Sequence, residues 1–183
     1  MDSKSSIITP DNKQFVFTRY LPKSGQTIQY VAGDDGDWEA GWNIGARFIT
    51  KTISGDDIVI DRATGLMWPR DFAGDGGFSG GLAYWSGGVG WCGGLNFAGF
   101  TDWRLPNVRE LLSICDYSLG GGGASCWYSI FQNRVPDTWW TSTTQAVTTT
   151  NAFIVSGGNG NTALADKDLQ KRIFVVRAGC TWK

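Results

Sequence analysis

Glycine sets the limits on how this chain can fold. Twenty-six of its 183 residues are Gly. Each costs up to about 1 kcal/mol inside a helix, and each favours a turn or a close approach of backbone to backbone. The length suits one domain, large enough to bury a core without metals. Ten Trp and no His accompany the glycines. Trp in a loop-rich chain serves either the core or a recognition surface, because its ring is large and rigid.

The absence of His removes the Ser-His-Asp triad, the Cys-His dyad and every His-zinc site together. Sixteen basic and 17 acidic side chains leave a net charge of −1, which argues against a nucleic-acid partner. No run approaches the ~18 apolar residues of a membrane span. Residues 1–20 lack the order of a secretory signal and read as an N-terminal extension to a domain over 21–183. Cys92, Cys115, Cys126 and Cys180 match no zinc or redox spacing. They are either buried thiols or one or two disulfides, and disulfides would imply an oxidising final location.

Periodicity places the elements. Residues 14–18 alternate as a strand. Residues 58–61 and 65–68 flank a short turn as a β-hairpin. Residues 71–81 are a Gly-rich loop. Trp85, Val89, Cys92 and Leu95 recur at helical spacing within 84–98. A second helix starts at Asn107, whose cap and Glu110 three residues later form a capping box. Val108, Leu111, Leu112 and Cys115 supply its apolar stripe, and Asp116-Tyr117 end it. After Gly120–Gly123, strands are expected over 138–143, 152–155 and 172–177. Strands, two helices, then strands on long loops make an α+β fold, and loops that long are usually functional.

Three groups of side chains carry candidate chemistry. Asp34, Asp35 and Asp37 around Gly36 could hold calcium, which takes several oxygen ligands about a turn. Gly45 stands where an EF-hand would have its Glu, and no other cofactor is implied. Trp127 and Tyr128 follow the Gly run, which would present them outward. Asn159 and Asn161 lie in another Gly-rich loop, and Lys167, Lys171 and Arg172 form a local basic group. Aromatic faces stack on sugars, while amides and cations bond hydroxyls or sulfates. In Asp102-Trp103-Arg104 the sequence suggests a buried Arg paired with Asp beside a packed Trp, a structural cluster rather than a ligand site.

Several stretches, in order, resemble one family: residues 21–27 with 33–37; Asp61-Arg62-Ala63-Thr64-Gly65-Leu66-Met67-Trp68; Trp85 with Cys92; Asp102-Trp103-Arg104-Leu105-Pro106-Asn107 through Glu110-Leu111; Trp140-Thr141-Ser142-Thr143; and Val176-Arg177. They resemble the Lcl-type domain found at the C-terminus of a bacterial collagen-like adhesin. The resemblance implies a C-type-lectin-like fold, two helices packed on small antiparallel sheets with long loops. It implies structural roles for Asp61, Trp68, Asp102, Trp103, Arg104, Glu110, Trp140 and Arg177. It also implies a non-enzymatic adhesion module that binds polysaccharide as a homotrimer. Similar folds serve phage receptor-binding proteins and formylglycine-generating enzymes, for which Cys115 and Cys126 are the available thiols. No collagen-like stalk is present.

An exterior family on a chain with no recognised export signal suggests a virion protein. It would be a tail fibre, tail tip or decoration that faces host glycans and docks through residues 1–20. A secreted bacterial adhesin domain for sulfated polysaccharide and a purely structural virion protein are the alternatives.

Overall fold

The structure is a computed structural model that describes residues 21–42 and 47–178, together with the backbone of 6–8 and 14–16. It is mixed α+β. Strands β1 (Ser6–Ile8) and β2 (Gln14–Val16) pair antiparallel, so the strand expected over 14–18 has a partner. Otherwise the extension lies outside the described residues.

A four-stranded sheet runs β11 (Arg177–Ala178), β5 (Leu66–Pro69), β4 (Asp56–Asp61), β3 (Phe48–Ile53). A five-stranded sheet runs β6 (Leu82–Tyr84), β10 (Gln170–Arg172), β7 (Thr138–Thr144), β8 (Asn151–Ser156), β9 (Thr162–Asp166). All pairings are antiparallel except β10 with β7, which is parallel at Arg172 and Trp139. Three helices are described: α1 (Asp35–Trp38), α2 (Trp85–Gly94) and α3 (Val108–Leu112).

The segment 172–177 corrects the expectation of one strand. It leaves the five-stranded sheet at Arg172 and joins the four-stranded sheet at Arg177. Ile173, Phe174, Val175 and Val176 between them are fully buried. Ile173 and Val175 enter one apolar cluster, Phe174 the other together with Val176. The same alternation divides Ile58 from Val59, Met67 from Trp68 and Trp140 from Trp139. Both faces of these strands are covered, which produces continuous apolar runs instead of alternation. Among the nine described Trp, five are therefore buried in the core: Trp68, Trp103, Trp127, Trp139 and Trp140. Phe72 stacks on Phe174 at 3.9 Å and meets Trp139 edge-on at 4.8 Å, while Trp68 stacks on Phe174 from the other side at 5.8 Å.

The β4–β5 turn shows why Asp61 stands where it does. Its carboxylate accepts from Ala63 N (3.0 Å) and Thr64 Oγ1 (2.7 Å), and its carbonyl accepts from Gly65 N. Gly65 has φ of +72°, where glycine is favoured. Asp61 also pairs bidentately with Arg47, Nε to Oδ1 at 2.8 Å and Nη2 to Oδ2 at 2.6 Å, and neither side chain is exposed. Nη2 reaches Ser113 O at 2.7 Å. This buried pair, not Asp102 with Arg104, is the ionic anchor inside the domain.

In the Asp102-Trp103-Arg104 stretch the expected pairing is exchanged. Arg104 forks onto Glu110 (2.7 and 2.7 Å), and Asp102 pairs with Arg177 (2.6 and 3.1 Å). The backbone bridge of Arg104 to Val176 brings Arg177 beside this stretch, and Asp102 and Arg104 are exposed rather than buried, so neither needs the other as a buried counter-charge. Trp103 is buried as expected and donates to Phe97 O. Trp140 donates to Ala83 O.

The α3 capping box is present. Asn107 Oδ1 accepts from Arg109 N and Glu110 N, and Glu110 Oε2 accepts from Asn107 N. The helix stops earlier than expected, because Ser113 caps it and donates Oγ to Glu110 O. Helix α2 is also shorter than 84–98; of its expected face Cys92 is buried and Trp85 and Leu95 pack against one apolar cluster, while Val89 turns to solvent. Gly88 is buried as well. A Cβ on Gly88 would stand 2.3 Å from Ile173 Cδ1, so close packing at Gly88 acts with that apolar stripe in orienting this helix.

Candidate functional site

Two residues expected to face ligand do not. Trp127 and Tyr128 are 0% and 2% exposed. Asp116 N to Cys126 O (2.6 Å) and Tyr128 N to Ile114 O (3.2 Å) fasten this stretch beside the end of α3. The Trp127 ring then stacks on Phe72. Tyr128 packs on Phe48 and donates to Lys23 O, and burial pushes its hydroxyl up to about 12. The aromatic that does reach solvent here is Tyr117, 49% exposed. It lies across Gly160, where a Cβ would come within 2.8 Å of its ring. Asn159 and Asn161 are exposed in the same turn, with Asn159 Oδ1 accepting from Asn161 N.

The basic group is mostly committed to the fold. Lys167 Nζ sits 4.0 Å over the Trp85 ring and donates to Thr144 Oγ1 and Thr149 O. Arg172 pairs with Asp137 at 2.9 Å and donates to Gly80 O. Of the three only Arg172 makes an ion pair among the described residues, and Lys171 alone has neither an ion pair, a side-chain hydrogen bond nor a ring contact there. The three cations do not form an open anion site.

Nor do the three aspartates converge on a cation. Asp34 caps α1 from Asp37 N and also accepts from Tyr30 N, Val31 N and Gln26 Nε2. The Tyr30 N–H, first among these, holds its carboxyl below the ordinary range. Asp37 accepts from Gly33 N and Asp35 from Ser24 Oγ. Among the described residues no three acidic or thiol groups gather as a metal site. The acidic run is a self-capped turn, and Gly36 is required there because a Cβ would strike Ile28 O at 2.1 Å.

The Arg172–Gly80 bond leads to a surface the sequence did not single out. The 3-10 turn Asp75–Gly80 faces the C-terminal half of α2 across an open groove of about 390 Å³. Asp75, Phe78, Ser79, Trp91, Leu95 and Asn96 line it. Phe78 and Ser79 have φ of +55° and +49°, unusual for non-glycine residues, and Gly80 continues the left-handed turn. Such conformations persist only where surroundings impose them, and they collect at ligand sites. Here Ser79 N bonds Gly74 O, Gly81 N bonds Phe78 O, Arg172 holds Gly80, and the Phe78 ring meets Trp91 edge-on at 5.0 Å.

The polar groups of the groove are unspent. The side chains of Asp75, Ser79 and Asn96 make no hydrogen bond to any other described residue, and no Lys or Arg lines the groove. An aromatic pair beside a carboxylate, an amide and a hydroxyl suits a hydroxyl-rich ligand. On the opposite side of α2 a smaller, apolar hollow of about 220 Å³ is lined by Val89, Cys92, Trp103 and Leu105, among others.

A family model described as the Lcl C-terminal domain matches residues 57–177. The chain belongs to this family. The match runs from β4 to β11 and takes in the groove, the capped α3 and the Tyr117–Asn159 face. It excludes Arg47, so the matched region is tied to the segment before it through the Arg47–Asp61 pair. No curated protein matches the chain. Asp75, Phe78, Ser79, Trp91 and Asn96 were missed in the sequence; the available signal was a Gly-rich loop carrying an isolated Phe, opposite a Trp that stands off the expected face of α2.

Proposed function

We propose that this Lcl domain is a non-enzymatic surface recognition module that binds a glycan in the groove between Asp75–Gly80 and α2. The observation that carries this reading is the set of unspent polar groups beside the Phe78–Trp91 pair. Aromatic rings pack on the apolar face of a pyranose, and carboxylate, amide and hydroxyl groups bond its hydroxyls. A groove with one carboxylate and no cation favours a neutral saccharide over a sulfated one. The fold proposed is C-type-lectin-like, in line with the family. For Cys92, burial pushes the thiol up to about 12 by desolvation, which keeps it protonated and poorly nucleophilic.

The setting proposed is an exterior one, on a virion or a cell surface, where the domain acts as a homo-oligomer. Weak single-site sugar binding gains greatly from multivalency. Leu21, Ile28, Tyr30, Val31 and Trp38 are all exposed on the segment preceding β3 and offer apolar surface for assembly.

A glycan array followed by titration calorimetry tests the reading. Trp91→Ala and Asp75→Ala should each weaken a neutral oligosaccharide by about tenfold or more, the size of a binding hot spot, with the unfolding midpoint measured alongside. Equal affinity in both variants and wild type, or binding confined to sulfated chains, would refute it.

A further inference from the structure

Cys115 and Cys126 lie in separate segments that the fold brings together. Cys115 follows α3 and faces Trp127 in an antiparallel bridge, so Cys126 stands one residue from the facing position. Asp116 N to Cys126 O and Tyr128 N to Ile114 O close that bridge on both sides. Directly opposed antiparallel residues lie about 4.5–5.5 Å apart, and the offset of one residue, about 3.3 Å, puts the Cys126 Cα at roughly 6 Å from that of Cys115, inside the roughly 4.4–6.8 Å that a disulfide spans. Both side chains are buried in one apolar cluster. Between them runs Gly120–Gly123, all four with positive φ, and Gly121, Gly122 and Gly123 have open space around them.

We propose that Cys115 and Cys126 are a disulfide-forming pair, closed by exchange with a small-molecule disulfide of the glutathione class when the protein reaches an oxidising exterior. The Cys126 thiolate attacks one sulfur of the reagent, forming a mixed disulfide and expelling a thiolate. Cys115 then attacks Cys126 Sγ, its proton passing to the expelled thiolate, and the second reagent thiol leaves. Two protein thiols lose two electrons, and one disulfide is reduced to two thiols. Interaction between the two thiols fits this order: it holds Cys126 below the ordinary thiol range and pushes Cys115 up, while in the closed fold each donates to a carbonyl, Cys115 to Leu111 O and Cys126 to Ser156 O. The bond would staple the Gly tract at its base and fix the Tyr117–Asn159 face, since Gly121 N and Cys126 N already bond Gly158 O and Gly157 O.

The test uses the folded full chain, equilibrated across ratios of reduced to oxidised glutathione, acid-quenched, unfolded, alkylated and mapped without reduction. A Cys115–Cys126 peptide with Cys92 alkylated is expected. Closing a loop of about a dozen residues should raise the unfolding midpoint by roughly 5–10 °C, a shift lost in Cys126→Ser. Alkylation of both thiols at every ratio, or linkage of either to Cys92 or Cys180, would overturn the pair. A linked pair with an unchanged midpoint would overturn the stapling role.

Discussion

Removing the charge from Asp61 should be the most damaging single change that leaves every groove residue in place. Asp61→Asn keeps the side-chain shape and, with its one amide oxygen in the Oδ1 place, can still accept from Ala63 N, while the NH2 in the Oδ2 place can no longer accept from Thr64 Oγ1. It leaves the Arg47 guanidinium fully buried with no counter-charge, held by Ser113 O and by the rings of Phe48 (4.5 Å) and Tyr128 (5.3 Å). One guanidinium nitrogen, Nη1, already lacks an acceptor, so the site has no spare hydrogen bond to offer. Breaking a buried pair from one side costs about 3–5 kcal/mol, against a total stability of roughly 5–15 kcal/mol. At about 2–4 °C per kcal/mol for a chain of this size, the midpoint should fall by roughly 6–20 °C. Urea unfolding followed by Trp fluorescence measures the loss. In Arg47→Met with Asp61→Asn the uncompensated charge is gone, so the double variant should be more stable than the sum of the two single losses. Single losses under about 1 kcal/mol that simply add would refute the anchor.

The other expectations concern the capped helix, alkaline pH and α2. Asn107→Ala removes the acceptor of two α3 N–H groups and should cost about 1 kcal/mol by chemical denaturation. Cys92 and Tyr128 are both pushed up to about 12 by burial from ordinary values of 9.0 and 10.0. The folded state therefore holds protons that the unfolded chain releases, and stability is intact below pH 9 and falls as pH rises toward 12; Tyr128→Phe should flatten that decline in a pH series of unfolding midpoints. In α2 two neighbouring glycines should respond with opposite sign. A Cβ at Gly90 meets nothing within 4 Å, so Gly90→Ala should gain up to about 1 kcal/mol. Gly88→Ala forces its Cβ onto buried Ile173 and should lose about 1–3 kcal/mol from overpacking, less that same gain; equal thermal midpoints for the two would refute the packing account.

Local signals carried much of the fold. The capping box at Asn107 and Glu110 is a short-range hydrogen-bond pattern, and it forms as read. The turn from Asp61 to Gly65 is equally local. Errors came where tertiary packing decided the outcome. Residues 172–177 read as one strand because apolar runs do not reveal which sheet each residue serves, and the crossing at Ile173–Val176 depends on both clusters. The face of α2 is legible in Trp85, Cys92 and Leu95, but its closest contact is not, because Gly88, which packs against Ile173, leaves no apolar mark. Arg47 was invisible for a related reason: its partner Asp61 is near in space through β3–β4 pairing, while no spacing rule links the two.

The candidate site failed to read from sequence because residue type does not show whether a polar group is already used. Asp34, Asp37, Lys167 and Arg172 have the chemistry of ligand contacts, yet their donors and acceptors are satisfied inside the fold. Each would have to surrender one or more existing hydrogen bonds to meet a ligand, and net gain from such an exchange is small. Asp75, Ser79 and Asn96 give up only water. The same distinction separates Arg172 from the groove it borders: it touches no groove space, but its bond to Gly80 helps to hold the left-handed turn that carries Phe78 and Ser79. Loss of Arg172 would therefore loosen the groove wall without removing a contact, and that difference is what divides a positioning residue from a binding one in this domain.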